Sequence, residues 1–79
     1  MPSLRLFAGA REAAGTDRDI IDESTVGAVL DAAVARFGPA FSDLLPTCKV
    51  WVNGEPAERA DVVGPDDEVA VLPPVSGGA

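Results

Sequence analysis

Gly77 and Gly78, reached through Pro73-Pro74-Val75-Ser76 and followed by Ala79, are the residues of this chain best placed to do chemistry. A glycine carboxyl is the least hindered acyl group that a polypeptide offers. Without Cβ atoms the backbone passes down a slot too narrow for other residues. The two prolines hold φ near one value and disfavour helix in the residue before them, so the segment leaves the domain extended. Seven residues at ~3.3 Å each reach roughly 23 Å. These properties suit a tail that enters another protein's active site. While Ala79 is attached, the carboxyl of Gly78 is held in a peptide bond.

Little else in the sequence is equipped for catalysis. The chain has no histidine, and its one cysteine, Cys48, excludes an internal disulfide and a cysteine metal cluster. Only Lys49 beside it is cationic, so Cys48 reads as a small packed residue rather than an activated thiolate. Asp66, Asp67 and Glu68 lack the alternating spacing of a calcium loop and read as a charged turn. No metal is therefore expected. Arg11 and Glu12 fit either a partner contact or a solvated pair. Lys49 is the sole lysine. Any conjugation onto this chain would have to use it or the N-terminus.

The 79 residues make one small domain, and a hydrophobic content of 47% is enough for a core. No apolar run approaches the ~18 residues of a membrane span. The N-terminus lacks the layout of a signal peptide. A cytoplasmic protein is the simplest expectation. Thirteen acidic residues against six basic ones give a net charge of −7. That balance argues against nucleic acid and anionic membranes as partners. It fits either simple solubility or steering towards a basic partner surface.

The positioning elements follow from periodicity. Leu4, Leu6 and then Ala8 alternate with Arg5 and Phe7, so residues 3–7 read as a strand with Leu4 and Leu6 inward. Residues 9–15 read as a loop, and residues 18–22 as a short strand pairing back as a hairpin. Thr25 is a good helix N-cap. Val26, Val29, Leu30, Ala33, Val34 and Phe37 then form one apolar stripe, which Gly38 and Pro39 end. Residues 40–45 could add a helical turn that packs Phe41, Leu44 or Leu45 before Pro46 ends it. Residues 49–52 are β-rich, and Asn53-Gly54 is a strong hairpin signal returning through residues 55–57. Gly64-Pro65-Asp66-Asp67 reads as a turn, and residues 69–72 as the last strand. Strand, strand, helix, strand, short strand, strand is the order of an α+β, β-grasp domain. It has a mixed sheet with one main helix on one face, spans residues 1–72, and carries an extended tail over residues 73–79.

Alternation turns Val50, Val52, Val69 and Val71 inward. It puts Trp51, Phe7, Ala70 and Leu72 on the opposite face, which a single helix leaves open. Exposed large apolar residues on neighbouring strands point to a partner surface. The other reading is that Trp51 lies flat and merely shields the sheet.

With this order and tail the chain resembles the ubiquitin-like sulfur carriers of the MoaD/ThiS type, most closely the small subunit of molybdopterin synthase. The pieces are Leu6-Phe7-Ala8, Arg11-Glu12, Ala14-Gly15, Thr25-Val26, Val52-Asn53-Gly54, Asp66 to Ala70, and Pro73-Pro74-Val75-Ser76-Gly77-Gly78. The resemblance implies that Gly78 is the acyl carrier. A ubiquitin-activating-type enzyme would adenylate it with ATP, the carrier itself binding no cofactor. A sulfur donor would then convert it to a thiocarboxylate. The tail would next enter the large subunit of molybdopterin synthase, where sulfur passes to a pterin precursor. Catalysis on this scheme belongs to the partners, which agrees with the missing bases and nucleophiles. The open sheet face would be the partner interface.

Ala79 departs from that pattern, in which the second glycine is normally last. A processing protease could remove it. It could be extraneous to the native end. Alternatively, Ala79 itself could be activated, or the protein could be an inactive paralogue. A protein modifier conjugated through Gly78, a carrier for thiamine or cysteine synthesis, and a plain binding module are the alternative functions.

Overall fold

The computed structural model describes residues 1–74. The expectations placed on Val75, Ser76, Gly77, Gly78 and Ala79 lie outside the described residues. The chain forms β1 (Ser3–Leu6), α1 (Ala8–Ala14), β2 (Arg18–Ile20), α2 (Val26–Phe37) and α3 (Pro39–Leu44). A 3-10 turn over Leu45–Thr47 follows, then β3 (Lys49–Val52), β4 (Glu55–Pro56) and β5 (Glu68–Leu72). The five strands lie in the order β2-β1-β5-β3-β4. β1 and β5 are parallel at the centre, and the other pairs are antiparallel. This is the ubiquitin-like β-grasp sheet, with helices packed on one face.

Strand alternation sorts the two faces. Leu4 and Leu6 of β1 and Val69 and Val71 of β5 are buried against Val26, Val29, Leu30 and Ala33 of α2. Val34, Phe37, Val50 and Val52 are partly buried around them. Of the two neighbouring isoleucines, Ile21 enters the core, while Ile20 at the end of β2 is 45% exposed. The edge strand blunts its own free edge, because the Ile20 N–H donates to Asp19 Oδ1 at 2.8 Å.

The first four backbone donors of α2 are all satisfied. The Val26 and Gly27 N–H groups donate to the carbonyls of Asp61 and Arg59, each at 2.9 Å. Ala28 donates to Thr25 Oγ1 at 3.2 Å, and Val29 to the Thr25 carbonyl at 3.0 Å. The segment between β4 and β5 thus seals the helix start. A Cβ on Gly27 would stand 3.1 Å from the Arg59 carbonyl oxygen, tight enough that the segment would have to give by a few tenths of an ångström, so glycine suits this close approach.

Two expectations are corrected. Residues 8–14 form a helix, not a loop: Ala10 anchors it in the core, and Gly15 ends it with φ +79°. Phe7 consequently leaves β1 and becomes the N-cap, and Ala8 takes φ +50° to turn the chain. α2 does end at Phe37 before Gly38 and Pro39, as expected, and Pro39 then opens α3 at the first helical position, where its missing N–H costs nothing. Pro46 does not stop the helical path, since it sits within the 3-10 turn. α3 buries Phe41 completely and sets its ring edge-on to Phe37 at 5.4 Å.

Candidate functional site

β5 delivers the tail. Its last residue, Leu72, pairs with Lys49 across β3, and Pro73 follows immediately. Pro73 is half-buried, and its Cγ lies 3.9 Å from where a Cβ on Gly9 would stand, so the tail leaves the sheet against the first turn of α1. Pro74 is exposed. The central position of β5 fixes this exit on both sides, by β1 and by β3.

The face opposite the helices assembles as alternation requires. Ala70 stands between Arg5 of β1 and Trp51 of β3 in the ladder, and residues paired across a sheet share a face. Phe7 joins them beyond the end of β1, where its N–H donates to the Val71 carbonyl at 3.3 Å. Phe7, Trp51, Gly54, Glu68, Ala70 and Leu72 line one shallow depression of about 320 Å³. A second hollow of about 430 Å³ adjoins it through Trp51 and Leu72, and is completed by Lys49, Pro73 and Pro74. The expected interface residues therefore form one strip that runs into the root of the tail. Trp51 is half-buried, and Phe7 keeps 37% of its surface exposed.

Arg5 had no assigned part in this strip. Its guanidinium lies 5.3 Å from the centre of the Phe7 ring, and 4.0 Å from the Glu68 carboxylate. The cation over the ring orients Phe7 within the strip. The i, i+2 spacing of Arg5 and Phe7 was the available signal. It was masked because a strand was expected to end, not turn, at residue 7.

The remaining candidates resolve into structural roles. Cys48 is half-buried, donates from Sγ to the Leu44 carbonyl at 3.4 Å, and packs against the core. Burial pushes its thiol up, away from a nucleophilic thiolate. Asp67 accepts from the Gly64 N–H at 2.7 Å and from Asn53 Nδ2 at 2.8 Å. These two bonds, the backbone one first, hold its carboxyl below the usual range. The acidic turn therefore braces the β3–β4 hairpin. Among the described residues no group of carboxylates or thiols is arranged to hold a metal. No helix among them is long and apolar enough to cross a membrane.

Comparison with known proteins agrees with this geometry. Residues 4–78 match the ThiS family. Small archaeal modifier protein 1 of Haloferax volcanii is 38% identical over 84 residues, covering 94% of this chain and 97% of the relative. Its crystal structure superposes with a TM-score of 0.81 at 35% identity over 98% of both chains. The solution structure of small archaeal modifier protein 1 from Methanosarcina acetivorans gives a TM-score of 0.87 at 26% identity, covering 98% of this chain and 95% of that one. The complex of subunits 1 and 2 of the molybdopterin-converting factor from Helicobacter pylori contains a chain with a TM-score of 0.72. It is 19% identical, over 98% of this chain and 97% of that one, so the likeness is one of fold. From the central parallel strand pair to the family match over residues 4–78, the chain belongs to the ThiS family, the ubiquitin-like sulfur carriers and modifiers.

Proposed function

We propose that this protein is the sulfur-carrying small subunit of a molybdopterin synthase, with Gly78 as its acyl terminus. The observation that carries the reading is the continuity of the strip from Phe7 through Trp51 and Leu72 to Pro73 and Pro74. One partner can hold the sheet face and receive the tail at once. Hydrolysis of the Gly78–Ala79 bond by a processing protease frees the carboxylate. A carboxylate is a poor acyl donor, so a ubiquitin-activating-type enzyme joins it to AMP from ATP and releases pyrophosphate. A sulfur donor at the hydrosulfide level attacks the acyl carbon. AMP leaves with the C–O bond pair, and the thiocarboxylate remains. The tail then enters the large subunit and delivers sulfur to a pterin precursor. Gly77 supplies the narrow passage, Pro73 and Pro74 the extended approach, and Val75 and Ser76 the reach between them.

The intact mass of untagged protein from its own host tests this reading. A species ending at Gly78, part of it carrying sulfur in place of one oxygen, is the expected result. A single unmodified species retaining Ala79 would overturn it.

A second reading shares the same activated glycine. The 38% identity to small archaeal modifier protein 1 favours conjugation, in which a lysine amine of another protein displaces AMP and forms an isopeptide bond. Proteins carrying Gly78 on a lysine side chain would establish it in the same host extract.

A further inference from the structure

The ladder registers sort the charges of the strands by face. Leu4 opposes Asp19, and Val52 opposes Glu55, so two of the strand carboxylates lie on the helix-covered side. Arg5 opposes Arg18 and Ala70, and Lys49 opposes Leu72, so all three strand cations lie on the open face. Glu68, which opposes Ser3, is the one strand carboxylate among them. Its approach to Arg5 is long, at 4.0 Å, and both side chains are only half-buried, so it compensates little. Among the described residues neither Arg18 nor Lys49 forms an ion pair.

The cations also bracket the apolar strip. Arg18 on β2 and Arg5 on β1 stand on one side of Ala70 and Leu72, and Lys49 on β3 stands on the other. With strands ~4.8 Å apart, the outer cations are roughly 14 Å from one another across the sheet. The chain as a whole has a formal charge of −7, so a net cationic set of strand side chains on this face runs against its composition. Charge at the rim of an apolar patch sets encounter rate and orientation, and it disfavours partners of the same sign. A partner steered by the overall charge would be basic. A partner that fits this face is not.

We infer that the open sheet face docks a protein surface with an apolar centre and carboxylates placed opposite Arg5, Arg18 and Lys49, oriented so that the tail root points into the partner. The inference rests on the carrier reading and deepens it. It predicts an acidic rim on the enzyme that activates Gly78, although the carrier itself is acidic.

The test titrates the full 79-residue chain against the ubiquitin-activating-type adenylating enzyme of the same organism, at low and high salt. Arg18→Glu/Lys49→Glu should bind at least ~10-fold more weakly than the parent at low salt, with the difference narrowing as salt rises. Arg59→Glu, which removes a cation held against α2 by Asp31, should bind like the parent. Thermal unfolding of each variant reports whether the fold is kept. If Arg18→Glu and Lys49→Glu, made singly in folded protein, each bind as the parent does at every salt concentration, the charge inference is overturned while the carrier reading stands. Equal weakening by Arg59→Glu would overturn it too, by reducing the effect to net charge. No binding at any salt by either the parent chain or a chain ending at Gly78 would sink both.

Discussion

Asn53 and Asp67 clasp two turns together: Nδ2 of Asn53 donates to Oδ1 of Asp67 at 2.8 Å, while Oδ1 of Asn53 accepts from the Glu68 N–H at 3.0 Å. The pair joins the β3–β4 hairpin to the entry of β5. It therefore holds Trp51 and Ala70 in register on the open face. The carboxylate of Asp67 also takes the Gly64 N–H, and both bonds favour its charged form.

Acid should weaken this clasp. The folded value of Asp67 lies below its ordinary one, so the unfolded chain takes up the proton first. The stabilisation is present above the unfolded value near ~3.9, and is lost as pH falls through the lower folded value. Asp19, held down mainly by the Arg36 guanidinium, acts in the same direction. Urea unfolding between pH 5 and pH 2 should show a steeper loss in the parent than in Asp67→Asn. Parallel curves would remove Asp67 from the acid response.

Gly27→Ala sets two effects against each other. Alanine gains about 1 kcal/mol in helix propensity. Its Cβ would stand 3.1 Å from the Arg59 carbonyl oxygen and 3.3 Å from the Arg59 side chain. The side chain can swing away, but the oxygen is fixed by the Gly27 N–H at 2.9 Å. Overpacking of this kind costs about 1–3 kcal/mol, so a net loss of about 1 kcal/mol is expected in the urea midpoint. A raised midpoint would show that residues 59–61 yield freely.

Trp51→Ala should separate binding from folding. Trp51 lies on the open face, away from the buried cluster. An aromatic anchor at the centre of an interface commonly contributes 2 kcal/mol or more. Calorimetric titration against the adenylating enzyme should show roughly 30-fold weaker binding, with the unfolding transition still cooperative. Unchanged affinity would reduce Trp51 to a cover for the sheet.

Gly77→Val tests the tail. The side chain should block entry into the activating site. ATP–pyrophosphate exchange supported by a chain ending at Gly78 should fall to background. The buried core closes with Val71, so the melting temperature should stay within a degree or two of the parent. A destabilised domain would contradict the division between fold and tail.

Phe41→Ala should do the opposite. The ring is fully buried and packs edge-on against Phe37. A loss of about 3–5 kcal/mol is expected, a large part of the stability of a domain this small. Loss of the cooperative unfolding transition would register it, and a midpoint near that of the parent would contradict it.

Local signals made much of this legible. Asn53 and Gly54 both take positive φ, as their dipeptide foretells, and Thr25 caps α2 through its hydroxyl. Alternation placed Phe7, Trp51, Ala70 and Leu72 on one face without any tertiary information. The helix α1 escaped because seven residues are too few for a 3.6-residue period to declare itself, and Gly9 and Gly15 bracket it like a loop. The seal over α2 escaped for another reason. It is made by the backbone carbonyls of Arg59 and Asp61, and no side-chain type marks a carbonyl's destination. Cation placement on the open face needed the registers, because a one-residue slip would have turned Arg18 to the other side.

The parallel pairing of β1 with β5 bears on how the molecule is made on the ribosome. The strand that completes the centre of the sheet is the fifth, and the tail follows it directly. During synthesis, β1 and β2 can pair early, as can β3 and β4. The two halves stay unjoined until Glu68–Leu72 has been translated. A chain stalled before that point has neither a finished open sheet face nor a tail. Topology thus works as an assembly checkpoint, in which the residues proposed to carry the acyl group appear only after the strand that precedes them.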